Sequence, residues 1–286
     1  MSIPIIDTHQ HLIYPEQYPY SWTAAIPALQ GKAFRQDDYL TASEGTGITS
    51  TIFMETTPDD PHCIRETAFV YQLASRPDAG IAGVIANCRP EQPAGFAAHL
   101  DSIANPRLVG LRRILHVMPD ELSTTAHFAA NLRLLGERNL TFDLCVLARQ
   151  LPLAMALARK CGNVQFILDH CGVPDVAGQA LDPWRADLRH LASLPNVACK
   201  ISGVLAYAKA DHATGAAVRP FVEHCLECFG WDRVVWGSDW PVCTITSTLS
   251  KWVAISRELV AHADPSDQHR LFHANATRIY GLERQG

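Results

Sequence analysis

PIIDTHQH, residues 4–11, is a short apolar run that ends in two histidines spaced i and i+2. Near the other end of the chain, RVVWGSDWP, residues 233–241, is a second such run, closed by Gly237-Ser238-Asp239-Trp240-Pro241. Between them lie further runs at 50–55, 81–86, 109–115, 141–146, 164–169 and 197–202; with 4–7 and 233–237 they make eight candidate strands. They are rich in Val, Ile and Leu and do not alternate with polar residues, the pattern of strands buried on both faces of a parallel sheet. Segments with helical spacing fall between most of them, at 60–75, 124–137, 150–160, 183–194, 216–229 and 248–261, and a last one lies at 266–280. Eight strand–helix units predict an α/β fold, the (β/α)8 TIM barrel, in which the first and eighth strands are neighbours. His9, His11 and Asp239 then converge at the C-terminal ends of the strands, where such barrels place their chemistry.

The chain has 286 residues, 48% of them hydrophobic, enough for one barrel domain over 1–286. Its net charge of −5 is spread in mixed sign, with no basic stripe for nucleic acid. No apolar run reaches the length of a membrane span. The opening MSIPIIDTH runs directly into a strand without the regions of a signal peptide. Nine cysteines with no repeated spacing argue against a disulfide framework, so a cytoplasmic protein with reduced thiols is expected. Cys225-Leu-Glu-Cys228 is a CxxC inside a helical segment; with no second pair in the sequence, it reads as thiols packed against the barrel. A homo-oligomer is an open expectation.

The pair His9 and His11 should face the same side of a strand, because side chains two apart share a face. His170 ends the sixth strand in FILDHCG and joins the same mouth, while Asp169 is expected to face away. Of Arg112 and Arg113 in GLRRIL, one should point inward to bind substrate oxygens and the other should form a surface ion pair. Arg112 is taken as the inward one. Lys200 on the seventh strand, which shares a face with Ser202, and Glu55 at the end of the second are further candidates for substrate contact; the alternative for Lys200 is to neutralise nearby carboxylates. Asp143 is a weaker one, its neighbours being apolar. Residues 12–36 break the pattern with Tyr14, Tyr18, Tyr20 and Trp22 among prolines. Such a long loop after the first strand is expected to be an ordered lid over the mouth. Tyr20, Trp22 and Trp240 would then form an apolar wall for the substrate.

IDTHQH, GLRRIL, FDLCV, FILDHCG, VACKISG, FGWDRVVWGSDWP and HANATRIYGL run in this order over nearly the whole chain. In them the chain resembles the amidohydrolase superfamily, specifically its lactonase-type, amidohydrolase-2 branch and the sugar lactonases within it. The resemblance implies a metal-dependent-hydrolase-like (β/α)8 barrel that hydrolyses a cyclic ester, a small-molecule lactone. It carries the first-strand pair onto His9 and His11, the sixth-strand histidine onto His170 and the eighth-strand aspartate onto Asp239. All four are expected to be catalytic, with Asp239 as the base that takes the water proton. Metal-rich members place a lysine on the fourth strand or a histidine on the fifth, and this chain has neither. The expectation is therefore that no metal is obligatory. The alternative is one divalent cation, zinc, on His9, His11 and Asp239, since three protein ligands with an open position suffice for catalytic zinc. Competing readings are a dicarboxylate lactonase, a metal-dependent decarboxylase and, from another class, a non-catalytic barrel that binds a sugar acid.

Overall fold

The computed structural model describes residues 3–285. Eight strands form one sheet in the order β1 to β8, every adjacent pair parallel. They are β1 (Ile5–Gln10), β2 (Ile48–Met54), β3 (Ile81–Asn87), β4 (Leu108–Ile114), β5 (Thr141–Cys145), β6 (Phe166–Leu168), β7 (Val197–Ile201) and β8 (Val234–Trp236). The sheet closes where β1 meets the segment after β8: the amide of His11 donates to Trp240 O at 2.8 Å and that of Asp239 to His9 O at 2.9 Å. The Asp7 carboxylate reinforces the seam, accepting from the Ser238 amide at 2.7 Å and from the Tyr39 hydroxyl at 2.6 Å.

Helices α1 (Gln36–Ser43), α2 (Cys63–Ala74), α3 (Phe96–Ser102), α4 (Ala126–Glu137), α5 (Leu151–Lys160), α6 (Trp184–Ala192), α7 (Gly215–Phe229) and α8 (Leu249–Leu259) alternate with the strands. Outward-facing strand residues such as Phe53, Leu111, Phe142, Phe166 and Trp236 pack with helix residues such as Phe128, Leu188 and Trp252 in the main core. The sequence pattern misses α1 and α3. Each is short: α1 buries only Gln36 and Tyr39, and α3 only Phe96 and Leu100. Too few apolar positions are present for periodicity to register. The segment expected as one helix at 266–280 is helical without a gap over 265–279, running from α9 (Pro265–His269) through a π turn (Arg270–Ala274) into α10 (Asn275–Ile279).

A second apolar cluster lies inside the barrel. Ile6, Ile52, Ile85, Ile167, Ala198 and Val235 pack with Ala276 of α10 and with Tyr280 just beyond it. This plug fills the end opposite the strand C-termini. Among the described residues, no helix is long and apolar enough to cross a membrane.

Candidate active site

The floor of the mouth is built by two departures from regular strand geometry. Across the pair β1–β2, Asp7 and Gln10 face Thr51 and Phe53, so β1 carries one extra residue there. Such a bulge re-aims side chains. It lets Ile6 join the internal plug while His9, three residues on, joins the mouth. At the end of β6 the chain turns through a left-handed backbone, with φ of 53° at His170 and 56° at Cys171. Asp239 adopts φ 57° after β8. Left-handed backbone at non-glycine residues is costly and clusters at functional sites.

These turns bring four side chains together. His9 Nε2 and His11 Nε2 are 3.1 Å apart, and Asp239 Oδ1 lies 3.7 Å from the first and 3.6 Å from the second. Asp239 Oδ2 is turned toward His170 Nδ1, at 3.8 Å. The imidazoles are anchored from behind. His11 Nδ1 pairs with Met54 O at 3.0 Å, and His170 Nδ1 with Ser202 Oγ at 2.9 Å. His9 Nδ1 faces Asp169 Oδ1 at 3.4 Å. Gly203, with φ +67°, allows this approach, since a Cβ there would stand 2.5 Å from His170 Nδ1.

Beneath His9 lies a buried ionic layer. Lys200 Nζ reaches Asp143 Oδ1 at 2.5 Å, Asp169 Oδ1 at 3.0 Å and His9 Nδ1 at 3.3 Å. Arg112 donates from Nε to Glu55 Oε1 and from Nη2 to Glu55 O, both at 2.7 Å. Its Nη1 lies 3.4 Å from His9 Nε2 and 3.6 Å from Asp169 Oδ2. Burial pulls His11 and His170 down to about 3 and His9 well below its usual range, so the imidazoles are neutral. Burial pushes Asp239 well up, against the pull of Arg112. Four carboxylates (Glu55, Asp143, Asp169, Asp239) face two fixed cations (Arg112, Lys200), an excess of two negative charges if all are ionised.

A cavity of about 530 Å³ opens over this floor. His11, His170, Asp239, Arg112 and Trp22 line it, as the sequence suggests. His9 sits just below the wall. Several expectations need correction. Lys200 and Glu55 do not line the cavity; both are fully buried and held by opposite charges within the barrel. Tyr20 packs with Ile13 and Tyr18 inside its own loop, and Trp240 packs edge-on against Phe34 and Tyr39. The 12–36 loop is ordered, as expected, with a bridge between Ile13 and Phe34, but mainly Trp22 and Ile26 carry it to the cavity. Arg113 does form an ion pair, with Glu91 at 2.6 Å, although it is buried rather than on the surface. Asp169 points inward, not away: it shares the inner face with Ile167 two residues earlier, and the left-handed turn then brings His170 to the mouth as well. Asp143 belongs to the ionic layer despite its apolar neighbours in sequence.

Sequence reasoning missed His116 and Tyr207, both on the cavity wall. The first follows β4 by two residues, a position that could have flagged it. The second lies in an irregular segment with no such signal.

The sequence matches the amidohydrolase family over residues 6–282, and the chain belongs to that family. It is 29% identical to an L-fucono-1,5-lactonase of Burkholderia multivorans over 294 residues, covering 97% of this chain and 96% of the relative. An L-rhamnono-gamma-lactonase of Scheffersomyces stipitis is 23% identical over 197 residues, covering 60% and 59%. The solved structure of an amidohydrolase from Burkholderia multivorans with bound zinc superposes with a TM-score of 0.88 at 26% identity, covering 98% of this chain and 99% of that one. The chain is a hydrolase acting on ester bonds. The zinc in that similar structure overturns the expectation that no metal is obligatory. The earlier count of ligands by strand, which looked for a lysine on β4 or a histidine on β5, overlooked how closely the remaining donors converge.

Proposed function

We propose that this protein opens the ring of a sugar lactone by attack of an activated water, with one divalent cation held by His9, His11 and Asp239. One observation carries the reading: two imidazole nitrogens and a carboxylate oxygen meet within 3.1–3.7 Å on the floor of an open, partly aromatic cavity. The donor set fits such an ion. Histidine binds metal as the neutral imidazole, and here Met54 O and Asp169 back the ring nitrogens on the far side, the usual outer support of a histidine ligand. A divalent cation would keep Asp239 ionised against the push of burial and, with Arg112 and Lys200, would balance the charge of the four carboxylates when all are ionised. When bound, the cation supplies a Lewis acid for the carbonyl and lowers the pKa of a water.

The remaining work falls to side chains. Asp239 Oδ1 faces the imidazole pair, which leaves Oδ2, on the His170 side, to take the water proton and later return it to the departing ring alkoxide. His170, held by Ser202, orients the water and polarises the carbonyl. Arg112, on the cavity wall, holds a substrate oxygen with its guanidinium while Glu55 fixes Nε and Nη2. Lys200 has a positioning role, setting Asp169 and thereby the His9 ring. Trp22, tied through Nε1 to Thr56 O at 2.9 Å, offers a flat face to the sugar.

The test is a pH-indicator assay over pentose and hexose aldonolactones, run before and after chelation. Acid release well above the spontaneous rate, lost on chelation and restored by zinc, is the expected outcome. Activity on no lactone, or full activity in metal-free protein, would count against the substrate and the cation respectively.

A further inference from the structure

The CxxC of α7 looks incomplete in sequence because no second pair accompanies it. The fold supplies the missing sulfurs from two other elements. Cys171 lies in the turn after β6, Cys199 on β7 and Cys225 on α7, and their Sγ atoms all fall within 4.8 Å of one another. All three are fully buried. None belongs to the hydrolytic mouth, although Cys171 directly follows His170.

We propose that Cys171, Cys199 and Cys225 form a buried thiolate site for one soft cation of the Cu(I) class. Thiolate sulfur selects soft ions over the hard cations that prefer oxygen. The cluster offers three sulfurs and excludes water, whereas zinc in a closed structural site takes four ligands. A three-sulfur pocket therefore suits a monovalent copper better than zinc. Binding forms copper–sulfur bonds and releases thiol protons to solvent; no electron is transferred, because copper enters already as Cu(I). Cys228, one helical turn from Cys225 and only partly buried, lies near His224 Nε2 at 3.3 Å and stands outside the trio. The competing account is packing alone, since a free thiol behaves as a small apolar side chain. Three thiols from three separate elements meeting at one point is what sets this cluster apart from the other buried cysteines of the chain.

The full-length protein is titrated anaerobically against the Cu(I) complex of bathocuproine disulfonate. One copper per chain should be withdrawn, and X-ray absorption should show a shell of sulfur only. Cys199→Ser and Cys225→Ser should weaken retention by roughly 100-fold or more, since disturbing even an outer partner of a metal ligand costs about 10–100-fold. Cys228→Ser, outside the trio, should retain the ion. A nitrogen or oxygen shell would place the copper at the histidines and overturn the proposal, as would no withdrawal by the wild-type chain or undiminished retention in Cys199→Ser. The absorption measurement on wild-type protein decides the matter even if the variants do not fold.

Discussion

The interior of this barrel has two halves that obey opposite rules. The lower half is Ile6, Ile52, Ile85, Ile167, Ala198 and Val235, capped by Ala276 and Tyr280. The upper half, nearer the C-terminal ends of the strands, is His9, Arg112, Asp143, Asp169 and Lys200. On β6 the change takes two residues, from Ile167 to Asp169; on β7 it takes two, from Ala198 to Lys200. The halves meet where the Tyr280 hydroxyl donates to Asp143 Oδ1 at 3.3 Å. Burying a Val or Ile side chain contributes about 1.5–3 kcal/mol. Burying charge costs free energy unless each group finds a partner. The lower half thus holds the barrel together, and the upper half spends part of that stability on groups fixed in reactive positions.

Substitutions in the two halves should separate cleanly. The largest effect is expected for Asp239→Asn, which should lower kcat by roughly 10²–10⁴ with the thermal melt unchanged or raised. Near-wild-type turnover would take Asp239 out of the chemistry. Lys200→Met should lose about 3–5 kcal/mol of stability, because it leaves Asp143 and Asp169 buried without their cation. That loss should shrink from pH 8 to pH 5. Burial raises Asp143 above its unfolded value, so the folded state takes up the proton first and acid neutralises the orphaned carboxylate. Denaturant melts at the two pH values check this, and a loss independent of pH would argue against it. Ile85→Val, in the lower half, should cost about 0.5–1.5 kcal/mol and leave kcat and KM as they were; a changed kcat would mean the halves are coupled. The smallest effect is expected for Trp22→Ala. Losing a stacking face worth about 0.5–1.5 kcal/mol should raise KM by about 2- to 10-fold, unequally among lactones, with kcat preserved. An unchanged KM alongside a lower melting temperature would make the loop a structural element only.

Much of the barrel was readable because the eight apolar runs and the two histidines obey simple periods. Chain closure then placed His9, His11 and Asp239 together without further assumptions. What escaped the sequence depends on departures from those periods. Asp169 follows the alternation set by inward Ile167, and it is His170 beside it that reaches the mouth through left-handed backbone; no sequence pattern encodes that angle, so the pair could not be assigned from alternation alone. Lys200 was correctly placed on its strand and Glu55 falls just past the end of β2, but how far along the barrel axis they sit depends on strand stagger. Tyr20 and Trp240 are aromatic and near the mouth, yet nothing in composition distinguishes a ring packed on its own loop from one facing a cavity. The metal expectation failed because it asked which strand lacked a ligand instead of how closely the remaining donors approach.

The seam between the first strand and the segment after the eighth carries one more consequence. Ser238 and Asp7, 231 residues apart, are hydrogen-bonded across it. During synthesis the two histidines leave the ribosome well before their carboxylate partner, which emerges only after β2 to β8 have been made. Long-range pairings of this kind form late, because loop-closure entropy must be overcome first. A nascent or prematurely terminated chain therefore carries half of its active constellation with no means of using it. Appearance of hydrolytic activity would time the final closure of the barrel more directly than any gain of helix or strand.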